Sequence, residues 1–216
     1  MKDKPSEWVA ISDLMSGVIA VVMLLLVVSV LQKSATELKQ KMEASRGYDA
    51  KREAVLNVLH GIKAGFMRSG ESGLVAFDMD SLKMTLPDKL FARGSACISA
   101  DERARFVPVS NAIKKLLENY PEITIFVDGH TDNVSVSRPV LDYRKYCTVY
   151  DDNYTLSAAR AREVRSLVAV NFPIDFLRRI IVAGYGDSRP LPSVAPDDAA
   201  NRRVEIRLSI EKSEVQ

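Results

Sequence analysis

The sequence predicts an α/β fold, with a single N-terminal membrane-spanning helix and a helical stalk before an open α/β sandwich domain. Two observations lead to this prediction. The apolar residues near the N-terminus form one long run, and further along the chain short strand-like segments alternate with helical ones. The length of 216 residues suffices for one domain of ordinary size and an appendage. The formal net charge of +2 gives no reason to expect a nucleic-acid partner.

The first predicted element is a spanning helix over residues 9–31, which follows a short polar tail of residues 1–8. Residues 14–31 are 18 positions without a charge, and extending the run back to Val9 gives 23. At about 1.5 Å per residue, such a run reaches roughly 35 Å and crosses a hydrocarbon core of about 30 Å. A cleaved signal peptide is the alternative, but its apolar run is usually about 7–15 residues and ends at a small-residue cleavage site. We expect an uncleaved anchor.

Asp13 places a carboxylate inside this predicted span. A charge within lipid is expensive, and ionisable groups there usually mark ion routes. Small residues follow at helical spacing: Ser16, Gly17 and Ala20. They share a helix face with Asp13 and would let a partner helix approach closely. The alternative is that Asp13, near the start of the helix, reaches back to the headgroups. Its position alone does not decide between the two.

Residues 32–70 form the next predicted element, a polar helical stalk that frays into a linker. Leu38 and Met42 are four positions apart, and Val55 and Leu59 repeat that spacing, which favours a helix. Glycines interrupt the pattern at four positions: Gly47, Gly61, Gly65 and Gly70. A short coiled coil with a second copy is the alternative, although the heptads are not sustained.

Residues 71–212 are predicted to form one compact domain, with a tail of residues 213–216 after it. Short apolar runs and period-two alternation predict five strands: residues 74–77, 82–86, 123–129, 179–186 and 202–210. Helical periodicity predicts two long helices: residues 101–119 and 156–172. Because strands and helices alternate, we expect an open sheet with helices packed against it.

Four motifs follow one another in this domain: GHTD at 129–132, NYTLSAARA at 153–161, GYGDSRP at 184–190 and NRRVEI at 201–206. Upstream lies LFARGSACISADERARF, which contains a loop of residues 91–99 that we call the GSA loop. The series resembles the peptidoglycan-binding domain of the OmpA family. The resemblance implies an OmpA-like fold and peptidoglycan as the ligand.

Asp132 and Arg160 are the candidate ligand-binding pair. A carboxylate accepts a hydrogen bond from an ammonium group, and a guanidinium holds a carboxylate through two hydrogen bonds, so together they suit the paired charges of an amino acid. The OmpA resemblance implies that the pair binds the diaminopimelate of the wall peptide, with Thr131, Asn153 and Leu156 shaping the pocket. The alternative is a plain ion pair between strand and helix.

Catalysis, cofactors and metal ions are not expected. His60 and His130 are the only histidines, and neither has a partner at metal-ligand spacing. The chain shows no activated nucleophile, phosphate-binding loop or convincing acid–base pair. Arg202 and Arg203 are expected to be structural or to form a positive rim.

The segment between Asp132 and Leu156 is longer than is usual in the OmpA family. This insertion would lid the pocket or alter which glycan is bound. It contains Cys147, while the GSA loop contains Cys97, and these are the only two cysteines. In an oxidising periplasm a disulfide between them would tie the insertion down. Two unpaired thiols are the alternative.

The order of the segments resembles the MotB family of stator subunits, with W-x-x-x-x-D-L-M at the start of the span. The resemblance implies that Trp8 anchors the interface, that Asp13 carries protons, and that the partners are a MotA-like ring of multi-span subunits and a second copy of this chain. A wall-binding domain lies outside the inner membrane, which implies a cytoplasmic N-terminus. The count of basic residues around the span favours the reverse orientation.

Two uses of such a stator, and one passive role, are considered. Flagellar stators commonly carry a longer basic tail and a longer periplasmic linker. The ISDLMSG motif at residues 11–17 and the compact chain resemble the B subunit of Zorya anti-phage defence systems, whose ring is ZorA-like. A passive tether between membrane and wall is the alternative in which Asp13 has no role. The identity of the ion, H⁺ or Na⁺, stays open.

Overall fold

The structure, a computed structural model, describes residues 7–71 and 73–210. The chain divides between Tyr48 and Asp49 into two compact units. Most of the predicted N-terminal tail and all of the predicted C-terminal tail, residues 213–216, lie outside the described residues.

The first unit consists of the N-terminal part of helix α1, which runs from Glu7 to Arg68. From Ile11 onward this helix is long and apolar enough to cross a membrane, with a mean hydropathy of 2.9 in its most apolar window. None of that window is buried against the rest of the protein. An apolar surface of this size needs lipid or partner helices to cover it.

The second unit begins with the last part of α1, residues 49–68. Val55, Leu59 and Phe66 of this part are buried, and the Phe66 ring meets the Phe106 ring edge to face with centroids 5.5 Å apart. The predicted stalk therefore differs from the structure in one respect. Its last turns belong to the domain, because the periodic apolar side chains that predicted a helix are buried there.

A five-stranded sheet forms the centre of the second unit. Its strands are β1 (Ala76–Asp78), β2 (Lys83–Pro87), β3 (Ile123–His130), β4 (Ile180–Gly184) and β5 (Arg203–Ile210). Their order across the sheet is β1-β2-β5-β3-β4. Strands β3 and β4 are parallel, and the other neighbouring pairs are antiparallel. The predicted α/β class is confirmed, with strand ends shifted by one or two residues.

The helices after α1 are α2 (Ala100–Arg105), α3 (Val107–Asn119), α4 (Tyr143–Tyr146), α5 (Asn153–Val168) and α6 (Ile174–Leu177). The single helix predicted over residues 101–119 is divided at Phe106. Pro108 explains the division, because it has no amide hydrogen and its ring clashes with the carbonyl four residues earlier. Helix α5 begins before the predicted start because the Asp152 carboxylate accepts a hydrogen bond from the Thr155 amide at 2.6 Å.

The core lies between the sheet and α5, which packs against β3 and β4. Ile125 and Val127 of β3 are fully buried, as are Val164 of α5 and Ile206 of β5. The alternation predicted for the last strand is confirmed, since its apolar positions face the core: Val204, Ile206, Leu208 and Ile210.

Gly129 and Gly184 pair in register on β3 and β4, directly beneath α5. A Cβ atom on Gly129 would lie 2.0 Å from the carbonyl oxygen of Ser157, and one on Gly184 would lie 2.6 Å from the amide nitrogen of Ala158. No side chain fits at either place. The two motif glycines therefore set the distance between α5 and the sheet, and with it the position of Asn153 and Arg160.

Replacing Gly129 with alanine is expected to destabilise the second unit by about 1–3 kcal/mol or more, because the new methyl group collides with backbone that α5 cannot move cheaply. Chemical denaturation of the full chain in detergent micelles measures the change. Gly61→Ala in α1 is the matched control, since a Cβ there meets nothing within 4 Å. It should leave stability unchanged or raise it by about 0.5–1 kcal/mol. Equal losses from the two substitutions would contradict this account.

Candidate functional site

A cavity of about 770 Å³ lies beside the end of β3, and it collects residues from four separate parts of the sequence. All five residues predicted for the ligand pocket line it: Thr131, Asp132, Asn153, Leu156 and Arg160. The insertion and the GSA loop contribute the opposite wall, which includes Arg138, Tyr150 and Arg93. Three of the four motifs therefore meet at this cavity, GHTD, NYTLSAARA and NRRVEI, while no residue of GYGDSRP lines it.

The charged side chains of the cavity form an alternating network. Asp132 Oδ2 accepts a hydrogen bond from Arg202 Nη1 at 2.7 Å. Arg202 Nε donates to Asp88 Oδ2 at 3.0 Å. Asp88 Oδ1 lies 2.8 Å from Arg160 Nη1. Acid and base thus alternate from Asp132 through Arg202 and Asp88 to Arg160.

Two expectations change with this network. Asp132 and Arg160 do not form the direct ion pair that was the alternative to ligand binding, because each has its own partner. Arg202 was expected to be structural or part of a positive rim, and the structure makes that role specific, since Arg202 bridges the two carboxylates. Asp88 was missed. In the sequence, Asp88 is marked only by its position two residues before the LF of the upstream motif, and that position alone does not indicate a binding role.

Arg160 is a buried cation, with 3% of its surface exposed. Its Nε donates to the carbonyl of Ser95 at 3.0 Å, and its guanidinium lies over the ring of Phe91 at 4.9 Å. Burial lowers the pKa of Arg160, and the neighbouring Asp88 carboxylate offsets part of that effect. Because the pKa of an arginine side chain ordinarily lies far above neutral pH, Arg160 remains charged at pH 7.

Arg202 is held in its charged form more firmly than a free arginine. The hydrogen bond to Asp132 raises the pKa of Arg202, burial opposes this, and the contact with Asp88 raises it further. About a third of its side chain is exposed, so it can change partners without leaving the cavity.

The remaining predicted residues have distinct roles. Asn153 donates from Nδ2 to the carbonyls of Asp132 and Val134, at 3.2 and 3.0 Å, and so fixes the start of the insertion. Leu156 is a buried apolar part of the cavity wall. Thr131 is buried at 3% exposure, and its hydroxyl has no hydrogen-bond partner within residues 7–71 and 73–210. A buried hydroxyl without a partner is costly unless a ligand or solvent meets it.

His130, in the same motif, is not among the residues that line the cavity. It is buried, and its ring stacks on Tyr185 with centroids 5.4 Å apart. Burial, and after it the charge of Arg203, lowers the pKa of His130 to about 4. The imidazole is therefore neutral at pH 7. The described residues contain no group of three or more His, Cys, Asp or Glu side chains placed to hold a metal ion.

The insertion is bound to the GSA loop. A disulfide joins Cys97 to Cys147. Beside it the carbonyl of Tyr146 accepts two hydrogen bonds, from Ser95 Oγ at 2.9 Å and from the Ala96 amide at 3.0 Å. Because Ser95 also holds Arg160 through its own carbonyl, these contacts connect the insertion to the buried cation.

Further contacts fix the rest of the insertion. Val140 and Tyr150 exchange two backbone hydrogen bonds at 2.8 and 3.0 Å. The Tyr150 hydroxyl donates to the carbonyl of Gly94 at 2.6 Å. The insertion is therefore part of the cavity wall and is held at Val134, Val140, Tyr146 and Tyr150. That it lids the pocket or alters which glycan is bound stays a prediction.

Asp13 lies in the exposed apolar part of α1. Ser16 Oγ donates to the Asp13 carbonyl at 2.8 Å, within the helix. An added Cβ on Gly17 would meet nothing within 4 Å, and both Ala20 and Asp13 itself are exposed. Trp8 is also exposed, at 78%. Within the described residues, nothing covers the face that carries the acid and the small side chains.

Comparison with protein families decides the class of the second unit. A family model described as the OmpA family matches residues 90–203, which is more than half of the chain. The chain belongs to the OmpA family. The matched region contains every residue of the charge network except Asp88.

One relative of this OmpA-family chain is a motility protein. Motility protein B of Bacillus subtilis is 29% identical over 132 residues, which are 60% of this chain and 45% of that protein. The chain thus matches a little under half of that relative's length. The name of this relative describes motility and not catalysis, as the non-enzymatic prediction expects.

One solved structure shares the fold. A MotB-like protein from Desulfovibrio vulgaris is 24% identical with a TM-score of 0.53, and the match covers 76% of this chain and 98% of that one. The cell wall anchor of the T6SS from Pseudomonas aeruginosa is 27% identical with a TM-score of 0.48, over 69% and 97% of the two chains.

Removing the disulfide is expected to lower the stability of the second unit by about 2–4 kcal/mol, because it closes a long loop in the unfolded chain. The bonded cysteines are 50 positions apart. Thermal unfolding of the oxidised chain, with and without dithiothreitol, measures the effect. A Cys97→Ser/Cys147→Ser variant is the control, and reductant should not change its melting temperature. An unchanged melting temperature of the wild-type chain in reductant would contradict the expectation.

Proposed function

We propose that the second unit binds peptidoglycan through this cavity, with Asp132 and Arg160 holding the diaminopimelate of the wall peptide. The observation that carries the proposal is the alternating network of two carboxylates and two guanidiniums at one cavity. An amino-acid centre brings one ammonium and one carboxylate, and the network offers a partner for each. Membership of the OmpA family supports the same ligand.

Ligand entry exchanges partners within the network. The ammonium group of diaminopimelate takes the place of Arg202 at Asp132, and its carboxylate takes the place of Asp88 at Arg160. The displaced pair keeps the contact between Arg202 Nε and Asp88 Oδ2, which is already present at 3.0 Å. No charge is then left buried without a partner, which is the condition for a low desolvation penalty. The unpartnered Thr131 hydroxyl gains a group to bond with.

Asp132→Asn and Arg160→Lys are each expected to weaken wall binding by about tenfold or more, because loss of one charge-assisted contact leaves the other partner unsatisfied. Pelleting of the full chain, in detergent, with purified peptidoglycan sacculi measures binding. Arg178→Lys is the matched control, since Arg178 is exposed and, among residues 7–71 and 73–210, its side chain pairs only with its neighbour Asp175. Thermal unfolding checks that each variant is folded. Wild-type pelleting by both folded cavity variants would refute the proposal.

We further propose that the whole chain is the wall-anchored B-type subunit of an ion-driven membrane motor. The exposed apolar part of α1 and the carboxylate of Asp13 on a small-residue face support this role, as does the kinship with motility protein B. Wall binding requires the second unit to be periplasmic, so the N-terminus is cytoplasmic and the chain crosses the inner membrane once. The partners are a MotA- or ZorA-like ring and a second copy of this chain.

In this motor Asp13 carries the proton, and proton flow drives rotation of the ring relative to a B-subunit dimer that the wall holds still. We favour a Zorya anti-phage system, rather than a flagellum, as the machinery that this motor drives. The ISDLMSG motif supports this assignment. So does the short stretch of sequence between the end of the apolar run at Leu31 and the start of the second unit at Asp49. Flagellar use is the second candidate, and the name of the Bacillus subtilis relative favours it.

Asp13→Asn is expected to abolish protection against phage, or swimming in a flagellar context, because an amide cannot take up and release the proton. Co-purification of the multi-span partner should be unchanged. Asp49→Asn, in α1 but outside the apolar run, is the matched control and should keep full function. A passive tether predicts the reverse: Asp13→Asn is silent, and loss of Arg160 is damaging. Full function of the Asp13→Asn variant would exclude the motor.

A further inference from the structure

We propose that Arg93 and Arg138 form a second carboxylate-binding subsite in the same cavity. The subsite would make the protein selective for wall peptides that carry a free carboxylate beside the diaminopimelate. This inference rests on the proposed wall binding and goes beyond it. Arg93 lies in the GSA loop, and Arg138 lies in the insertion that distinguishes this chain from the usual OmpA pattern.

The charge balance of the cavity is the first observation. Of the described residues that line it, five are cationic and two are acidic: Lys89, Arg93, Arg138, Arg160 and Arg202 against Asp88 and Asp132. The alternating network is balanced by itself, and an amino-acid centre with one ammonium and one carboxylate adds no net charge. Three cations therefore remain without a counter-charge when the first site is filled.

These three cations have no partner in the described part of the chain. No ion pair, hydrogen bond or ring contact holds Lys89, Arg93 or Arg138 there. This separates them from Arg202 and Arg160, whose guanidiniums are already engaged. Their side chains are exposed at the cavity and free to meet an anion.

The second observation is that Arg93 and Arg138 are held on adjoining, fixed loops. Arg138 lies two residues before Val140, which exchanges two backbone hydrogen bonds with Tyr150. The Tyr150 hydroxyl in turn donates to the carbonyl of Gly94, the residue after Arg93, at 2.6 Å. One tyrosine thus ties the backbone of both arginines together, so less ordering is needed when they bind a ligand.

The chemistry of the anion follows from the geometry of the cavity. Guanidinium groups present forked donors that match a carboxylate. Because the subsite shares one cavity with the diaminopimelate site, a peptide bound at the first site brings its neighbouring carboxylate within the same cavity. In wall stem peptides the residue linked to diaminopimelate is a glutamate, whose α-carboxylate is either free or amidated. The subsite distinguishes these two forms.

Calorimetric titration of the full chain in detergent micelles tests the proposal with two probes. One is the tripeptide L-alanyl-γ-D-glutamyl-diaminopimelate with a free glutamate α-carboxylate, and the other is the same peptide with that group amidated. We expect the wild-type chain to bind the free acid about three- to tenfold more tightly, as fits an exposed ion pair with two cations. Raising the salt concentration should reduce the preference.

The Arg93→Gln/Arg138→Gln variant should lose the preference and keep the affinity for the amidated probe. Arg144→Gln is the matched control: Arg144 is an exposed arginine of the same insertion that does not line the cavity. The Arg144→Gln substitution removes one positive charge, as each of the two cavity substitutions does, and it should leave the preference for the free acid intact. All three positions are exposed, and thermal unfolding confirms that the variants are folded.

Equal affinity of the wild-type chain for the two probes would overturn the subsite. Loss of the preference in the Arg144→Gln variant would also overturn it, because the preference would then come from general surface charge. The proposed function fails separately: in that case neither probe binds, or the amidated probe binds as well to Asp132→Asn as to the wild type. Binding of both probes through Asp132 without a preference overturns the subsite alone.

Discussion

The burial of the Arg160 guanidinium is the constraint on which the site depends. A cation that is 3% exposed must have fixed partners, and the partners come from separate segments: Asp88 after β2, and Phe91 and Ser95 of the GSA loop. Each of these segments is held for that reason at a defined place around the cavity. Because Ser95 also binds the insertion, the same requirement fixes the wall opposite. The cost of an unpaired buried charge makes the arrangement cooperative.

Helix α5 delivers Arg160 to this position, and the two glycines beneath it determine how close the helix comes. The GHTD and GYGDSRP motifs each contain such a glycine, and GHTD also contributes Thr131 and Asp132 to the cavity lining. His130 shows that a residue inside a binding motif need not take part in binding. It stands between Gly129 and Thr131, yet it is buried, neutral and outside the cavity lining. In this structure the His130 side chain packs in the protein interior, against Tyr185.

The sheet, its main helices and the five pocket residues could be predicted because each follows from a local pattern: alternation, helical spacing or a short motif. Asp88 and the role of Arg202 could not, because an ion pair between residues 114 positions apart leaves no periodic trace. The break between α2 and α3 is local and could have been read from Pro108. The burial of Val55 and Leu59, within residues 49–68, could not be predicted. A helical pattern shows that these side chains share a face, but it does not show which surface of the domain covers that face.

The central claim is that the wall ligand enters by exchanging partners with the network while Arg202 and Asp88 stay together. A crystal structure of the protein with bound diaminopimelate tests this most directly. The account predicts the ligand ammonium at hydrogen-bond distance from Asp132, its carboxylate on Arg160, and an intact contact between Arg202 and Asp88. A ligand bound elsewhere, with the Asp132–Arg202 and Asp88–Arg160 contacts unchanged, would contradict it.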